Sequence, residues 1–466
     1  MTSKGGWTGG WWSAAGAMAA VMLMAATAEA KTSWQLVYNQ PNQGNALLDV
    51  AAVDGTHGWA VGVASGMGSS SPVGVRTTDG TSWNMLPLPQ TGGGPLDFTF
   101  FTQLAFTDAD HGWLAAVSMS MGGEQPRLFR TEQGGMTWTE LTAPSTSLTH
   151  LQALPTGQLY GVGGSTLVSS ADGAAFQEVA VPVPGGLELA AIHMLNPDCG
   201  FVLASSESSA AVLWSGDGGQ GWEVRAEGLP YELNRLWFVS ASLGWAAGTD
   251  ASGAGVVVRT SDGGASWTAA TMPDHPGAMG EPAPVTSCEA VRFFDDSRGV
   301  ALCLSCTGNC DNPEETPSYV TFFGRSSDGG QSWTMDPDYE PQMNAPPFGE
   351  MMRFSGMFAM AFPEPNVGFL AGQNNLILRY DADEPEPAGW GPASCDPGSS
   401  GGGGSSSSGS SSGANGDDDD DSEADSGCGC RHAGARSAVS WALWALALIP
   451  LGLGWRRRSE LRRRSE

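Results

Sequence analysis

Lysine is almost absent from this chain of 466 residues, which contains only Lys4 and Lys31. Between residues 31 and 427 there are 12 basic residues against 46 acidic ones. Because such an acidic surface repels phosphate backbones, nucleic acid is excluded as an expected partner. Long runs with helical periodicity are also missing, and short apolar or alternating runs are separated by Gly, Asp, Asn and Pro. This pattern predicts an all-β protein.

Recognisable catalytic motifs are missing as well. Residues 31–397 contain no His-x-x-x-His pair, nucleophile elbow or phosphate-binding loop. A Gly-x-Ser-x-Gly match at 409–413 lies in a Gly/Ser-rich run, where composition alone accounts for it. The sequence therefore predicts no catalytic residue, no cofactor and no metal site.

The N-terminal 30 residues have the pattern of a secretory signal peptide. Lys4 precedes an Ala- and Met-rich apolar stretch, and small residues at Ala28 and Ala30 predict cleavage before Lys31. An uncleaved membrane anchor is the weaker interpretation, because the apolar stretch is shorter than the ~20 residues that span a bilayer. We therefore expect the mature domain to begin at Lys31 and to end near Pro397.

The C-terminal region divides into three parts. Residues 398–427 form a Gly/Ser-rich tether that includes five aspartates at 417–421, and Cys428 and Cys430 come directly after it. Residues 437–455 are an uncharged run long enough for a transmembrane helix, and an Arg cluster lies beyond it. Because basic residues remain cytoplasmic, the bulk of the chain is expected outside the cytoplasm.

The order of this C-terminal region, 428–466, resembles the MYXO-CTERM sorting signal of myxobacterial surface proteins. The resemblance implies a cut near Cys428 and transfer of the protein to the outer surface of the cell. A plain C-terminal transmembrane anchor is the alternative. Both interpretations place the domain outside the cell, with a membrane contact before processing.

One turn motif recurs six times. It consists of a Ser or Thr, an acidic or amide residue, glycine and an aromatic residue, as in TSDGGASW at 260–267. A short carboxylate accepts hydrogen bonds from the turn's backbone N–H groups, and Gly supplies the positive φ angles, so the motif predicts a hairpin turn. The turn residues and their aromatic partners are Asp79 and Trp83, Gln133 and Trp138, Asp172 and Phe176, Asp217 and Trp222, Asp262 and Trp267, and Asp328 and Trp333. Because Gln imitates Asp only partly, the turn at Gln133 is expected to be the loosest.

A second element precedes the turns and occurs seven times. It is a strand with a Gly or aromatic start and often a Gly end, such as GWAVG at 58–62 and GWAAG at 244–248. The seventh unit, ending at 376–381, lacks a turn motif, whereas residues 33–38 match the strand that comes after a turn motif in the other units. We therefore predict a seven-bladed β-propeller of four-stranded blades in which the N-terminal strand completes the last blade; six or eight blades stay open.

These motifs resemble the BNR, or Asp-box, repeats of sialidases and other propellers. The combined unit is most similar to the photosystem II stability/assembly factor family, over nearly all of residues 33–381. That resemblance implies a propeller fold and, at most, a role in assembly or scaffolding, because the boxes lie on structural hairpins.

The resemblance to sialidases implies a chemistry that needs three arginines, an acid/base Asp and a Tyr activated by Glu. Five of the 11 arginines in residues 31–427 occupy one repeated position, which predicts a structural role: Arg76, Arg130, Arg259, Arg325 and Arg379. The other six are too scattered to nominate a triad: Arg127, Arg225, Arg235, Arg292, Arg298 and Arg353. His57 and His111 each precede Gly in equivalent acidic turns, so they are interpreted as turn residues.

Six cysteines precede the C-terminal pair, an even number that predicts disulfides in an exported protein. The hairpin turn near Asp296 predicts the pairs Cys288–Cys306 and Cys303–Cys310, although zinc ligation by Cys303, Cys306 and Cys310 is an alternative. The same unit carries a long acidic insertion, which is a candidate binding loop or merely a solvated one. Its candidate binding residues are Asn309, Asp311, Glu314 and Glu315.

The sequence thus favours a non-enzymatic, surface-anchored monomer that binds an unknown protein or glycan. The alternative is a secreted, sialidase-like glycoside hydrolase with an unrecognised site. Several carboxylates with an Arg or Tyr in the central funnel would favour the hydrolase, and a funnel of Gly, Ala and Val would favour the binding module.

Overall fold

The computed structural model describes residues 33–40, 45–66, 69–89, 98–120, 123–276, 282–307, 318–339, 356–382 and Cys395. The predicted signal peptide, tether and sorting signal lie outside these residues, as do Cys310, the candidate binding loop, Cys428 and Cys430. Within the described part of the chain, no helix is both long and apolar enough to cross a membrane.

The described residues form seven four-stranded antiparallel sheets. Blade 1 comprises β2 (Ala46–Ala52), β3 (Gly58–Gly66), β4 (Ser69–Thr77) and β5 (Trp83–Met85). Blade 2 comprises β6 (Phe98–Phe106), β7 (Gly112–Ser120), β8 (Gly123–Thr131) and β9 (Thr139–Glu140). Blade 3 comprises β10 (His150–Ala153), β11 (Leu159–Gly163), β12 (Thr166–Ser170) and β13 (Gln177–Ala180). Blade 4 comprises β14 (Glu188–Met194), β15 (Gly200–Ser205), β16 (Ala210–Ser215) and β17 (Glu223–Leu229).

The remaining blades have the same order. Blade 5 comprises β18 (Tyr231–Phe238), β19 (Gly244–Asp250), β20 (Gly255–Thr260) and β21 (Thr268–Thr271). Blade 6 comprises β22 (Val285–Phe293), β23 (Gly299–Thr307), β24 (Ser318–Ser326) and β25 (Thr334–Met335). Blade 7 comprises β26 (Met357–Glu364), β27 (Val367–Gly372), β28 (Ile377–Asp381) and, as its outer strand, β1 (Trp34–Tyr38). The prediction of seven blades closed by the N-terminal strand is confirmed.

The Asp-box turns have the hydrogen bonds that their sequence favours. Asp262 Oδ1 accepts the Ser266 backbone N–H at 2.9 Å, while Thr260 Oγ1 accepts the Gly264 N–H at 2.9 Å. Gly263 and Gly264 have φ angles of 72° and 88°, which only glycine adopts readily. The turn is therefore built locally, from the residues of the motif itself.

The aromatic residue of the GWAAG-type strand joins neighbouring blades. Trp245 of blade 5 stacks on Phe293 of blade 6, with ring centroids 3.5 Å apart, and its Nε1 donates to the Gly329 carbonyl in the blade 6 Asp-box at 2.9 Å. Trp333 of that box meets Phe293 edge-on. The core therefore lies between the sheets, and this motif seals one blade against the next.

Each blade has turns on two faces. The turns between first and second strands and, in blades 1 to 6, between third and fourth strands share one face, here called the box face. In blade 5, for example, the Gly263 N–H donates to the Ser242 carbonyl across these two turns. The opposite face, here called the loop face, carries the connections from second to third strands and from blade to blade. Thr307 and Ser318, which flank the blade 6 insertion, are strand ends on the loop face.

The disulfides differ from the predicted pairing. Cys288 is bonded to Cys303, so the predicted Cys288–Cys306 and Cys303–Cys310 bridges are wrong. The reason is a β-bulge between Cys288 and Ala290, in which Glu289 is the additional residue. The bulge shifts the register by one, so that Cys288 lies opposite Cys303 instead of Leu304. Cys306 is disulfide-bonded as well.

A second disulfide, between Cys199 and Cys395, joins positions 196 residues apart. Cys199 lies in the box-face turn of blade 4, immediately before β15, and Cys395 packs against the core between blades 4 and 5. The last strand of blade 7 ends at Asp381, so this bridge fixes the continuation of the chain at blade 4.

Candidate functional site

The first strands of the seven blades surround the propeller axis and line a central channel. A cavity of about 220 Å³ lies between these strands. Its ionisable lining residues are Asp49, His150, His193, Arg235, Glu289 and Arg292. The channel lining therefore combines acids and arginines with apolar residues, which is the arrangement expected of a hydrolase and not the Gly, Ala and Val funnel expected of a plain binding module.

A β-bulge recurs in the first strands of the blades, next to the residues whose side chains line the channel. The register shifts between Leu47 and Asp49 in blade 1, and between Leu233 and Arg235 in blade 5. The second strand has a glycine opposite the bulge because there is no room for a side chain: a Cβ on Gly248 would lie 2.0 Å from the Glu232 carbonyl oxygen. The GWAAG motif and the channel residues thus depend on one local irregularity.

Several channel side chains hydrogen-bond to the backbone of the next blade. Asp49 Oδ2 accepts the Leu104 N–H at 2.7 Å, and His150 Nδ1 accepts the Ile192 N–H at 3.2 Å. Gln152 both accepts from the Met194 N–H at 2.6 Å and donates to its carbonyl at 3.0 Å. These side chains hold neighbouring inner strands together.

Trp237 forms the channel wall between blades 5 and 6. Its Nε1 donates to the Phe293 carbonyl at 2.9 Å, and the Arg292 guanidinium lies 4.4 Å from the centre of its ring. His193 of blade 4 packs against the same ring at 4.3 Å and lies 3.0 Å from the Phe238 carbonyl oxygen through Nε2. The wall is therefore a packed cation–π and aromatic cluster.

Burial changes the charges in the channel. It raises the pKa of Asp49 to about 6, although backbone N–H donors and Arg235 oppose the change. Burial also raises the pKa of Glu289, against the Ser287 hydroxyl and the Arg235 charge. The pKa of His193 falls to about 3 and that of His150 falls well below its ordinary value, mainly because both are buried. The histidines are therefore neutral at pH 7, whereas the guanidiniums stay charged.

The charges of both acids, Asp49 and Glu289, act on Arg235. Burial lowers its pKa, while Asp49 and Glu289 both raise it. Its Nη1 donates to the Asn234 carbonyl at 2.9 Å. Glu289 is 3% exposed, and its Oε1 accepts from Ser287 Oγ at 2.7 Å. The channel thus combines two acids with an arginine, which sequence reasoning missed.

For Asp49 the sequence signal is a polar side chain within an otherwise apolar first strand, ALLDVAA. Arg235 has no such signal, because its strand YELNRLWF also contains Glu and Asn. The two arginines that appeared scattered in sequence, Arg235 and Arg292, line one cavity, but Arg127 and Arg225 do not. Arg76, at the repeated position, donates to the Gly134 carbonyl of the next blade at 2.8 Å, a structural contact.

No group of three His, Cys, Asp or Glu side chains among the described residues has a metal-binding arrangement. His57 and His111 lie in box-face turns beside Asp54 and Asp108, whose carboxylates contact their Nδ1 atoms. These are the acidic turns in which the sequence places them.

The strand order, closure and channel define a seven-bladed β-propeller. It is similar to a solved structure of YCF48 bound to a D1 peptide, with 18% identity, a TM-score of 0.51, and coverage of 75% of this chain and 97% of the other. YCF48 from Cyanidioschyzon merolae has 15% identity, a TM-score of 0.49, and coverage of 75% and 98%. A GH74 xyloglucanase from Xanthomonas campestris has 16% identity and a TM-score of 0.47, with coverage of 76% of this chain and 54% of the enzyme.

At 18% identity, the likeness to the peptide-bound YCF48 structure supports a shared propeller fold and no particular activity. No family model matches the sequence, and no curated protein matches it.

Proposed function

We propose that this protein is a non-enzymatic binding propeller, displayed at the cell surface, which holds a protein or glycan on its loop face. The observation that carries the proposal is the hydrogen bonding of the Asp49 carboxylate. Both of its carboxylate oxygens accept backbone N–H groups, Oδ1 from Val50 at 3.0 Å and Oδ2 from Leu104 at 2.7 Å. A carboxylate held in this way supports the blades and is poorly placed to exchange protons with a substrate.

The connections of the chain support the choice of face. The Cys199–Cys395 bridge fixes the chain beyond blade 7 at the box face of blade 4. If the C-terminal tether anchors the protein, the box face is then the side nearer the membrane. The loop face, with the longest connections, is turned toward the surroundings, where loops carry recognition.

The comparison adds one point in favour. The similar propeller YCF48 was solved with a peptide bound. A protein with a similar fold therefore binds a peptide, and binding without the same partner is proposed here.

The test is a surface pull-down and a glycan array with the full chain. A loop-face variant carries Asn309→Ser, Asp311→Asn, Glu314→Gln and Glu315→Gln. The matched control is Asp296→Asn, an exposed acid in the box-face turn of the same blade. Loss of the captured ligand in the loop-face variant alone supports the proposal. Loss in the control alone, or no ligand for the wild type in either format, contradicts it.

A second candidate function is glycoside hydrolysis in the channel. The observation that favours it is the grouping of Asp49 and Glu289, both with raised pKa, around Arg235. Most glycosidases use two carboxylates, one of them protonated at the start of the reaction. Release of reducing sugar that depends on Glu289 would separate hydrolysis from binding alone.

A further inference from the structure

We propose that the central channel is a binding site for a carboxylate group, with the Arg235 guanidinium as its partner. This site lies inside the ring and is separate from the loop face. If no carboxylate binds in the channel, the proposed loop-face function is unaffected. If no ligand binds the loop face, the proposed channel site is unaffected.

Arg235 has donor capacity that the described part of the chain does not use. A guanidinium carries five N–H donors, and the hydrogen bond found for this side chain among the described residues is the one from Nη1 to the Asn234 carbonyl. Among the described residues, no ion pair with an N···O distance of 4.0 Å or less includes Arg235. A half-buried guanidinium without a contacting anion is unfavourable, so an anion in the adjoining cavity would be stabilised.

The two nearby acids do not take this role. Asp49 gives both oxygens to backbone N–H groups, and Glu289 accepts from Ser287. They influence Arg235 through space and without contact. The cavity between them is the place where a third carboxylate can form the paired N–H···O bonds that a guanidinium fork favours.

The surroundings favour a carboxylate over other anions. Asp49 and Glu289 oppose a doubly charged group such as a phosphate, whereas they oppose a single charge less. The planar carboxylate matches the planar guanidinium in two parallel hydrogen bonds. Trp237, Phe358 and Met360 line the same cavity and can cover the apolar part of the molecule that bears the carboxylate.

Such a carboxylate can be supplied by the C-terminus of a peptide or by an acidic sugar. The probes are an acetylated Ala-Ala dipeptide with a free C-terminus, the same dipeptide amidated, glucuronate and glucose. Calorimetric titration of the full chain at pH 7 is expected to give binding for the free dipeptide or for glucuronate, at least tenfold tighter than for its neutral counterpart. The carboxylate probe that binds identifies the source.

The variants locate the site. Arg235→Gln is expected to weaken binding at least tenfold, and Arg235→Lys, which keeps the charge without the fork, to weaken it less. Arg225→Gln, on the outer strand β17, is the control and should bind as the wild type does. Equal affinity for charged and neutral probes, no binding of either carboxylate, or wild-type affinity in Arg235→Gln would overturn the proposal. The charged-to-neutral comparison in the wild type applies even if Arg235→Gln fails to fold.

Discussion

Trp34 lies opposite Tyr380 in the sheet of blade 7, with ring centroids 5.0 Å apart, although the two residues belong to the first and last strands of the propeller. Trp34 also meets Phe323 of blade 6 edge-on at 4.8 Å and is fully buried. The first strand therefore completes the last blade and joins it to its neighbour. Trp34 is thus a buried contact at the point where the ring closes.

Replacing Trp34 with Ala should lower the free energy of unfolding by about 3–5 kcal/mol, because it removes a fully buried aromatic ring at the closure. Gln35→Ala, one residue later and exposed, is the control and should change it by less than about 0.5 kcal/mol. Denaturant unfolding of both variants checks this. A loss in Trp34→Ala no larger than that of the control would mean that the first strand does not support the ring.

A substitution at Gln133 should make its Asp-box turn more stabilising. Gln133→Asp supplies the missing carboxylate and is expected to raise the free energy of unfolding by about 0.5–1.5 kcal/mol. The reciprocal change, Asp262→Gln, removes acceptors for the Ser266 N–H and hydroxyl and should lower it by about 1–3 kcal/mol. Thermal and denaturant unfolding measure both. Destabilisation by Gln133→Asp would show that this turn does not adopt the Asp-box pattern.

Asp49 should make stability depend on pH. Its pKa is about 6 in the folded protein, against about 3.9 in an unfolded chain, so the folded state binds more protons between these values. The stability that Asp49 contributes is present below pH 4 and is lost as pH rises through 6.

Because His193, with a pKa of about 3, has the opposite effect in part of this range, the wild-type curve alone is not diagnostic. The difference in unfolding free energy between the wild type and Asp49→Asn isolates Asp49. As the pH rises from 4 to 7, the unfolding free energy of the wild type should fall relative to that of Asp49→Asn. A constant difference over that range would contradict the buried state of this carboxyl.

The disulfides Cys199–Cys395 and Cys288–Cys303 should differ in their contribution to stability. In the chain-entropy view, removing Cys199–Cys395, which spans 196 residues, costs up to about 5 kcal/mol, and removing Cys288–Cys303, which spans 15, costs about 3 kcal/mol. Paired Cys→Ala variants measured by denaturant unfolding test this order. A larger cost for the Cys288–Cys303 pair would indicate that local packing at the bulge matters more than the length of the closed loop.

The repeat made the propeller predictable from sequence. GWAAG at 244–248 and the Asp-box at 260–267 recur at similar spacing because each is a local structure, a strand under a bulge and a turn that satisfies its own backbone. The match between residues 33–38 and the segments after each box predicted the closure at Trp34. These inferences needed no knowledge of contacts between distant residues.

The disulfides and the channel were not predictable in the same way. A single additional residue, Glu289, moves the register and so changes the partner of Cys288. Cys199 and Cys395 are 196 residues apart, and no local pattern in the sequence indicates that they pair. Asp49 and Arg235, on blades 1 and 5, come near each other only when the ring closes.

The most direct test of the central claim, that this propeller binds without cleaving, is a screen of the full chain for release of reducing sugar from a panel of polysaccharides and sialylated glycans. The account predicts no release above background for the wild type, for Glu289→Gln, or for the control Glu223→Gln on the exposed outer strand. Sugar release by the wild type and by Glu223→Gln that disappears in Glu289→Gln would contradict the account and establish the channel as an active site.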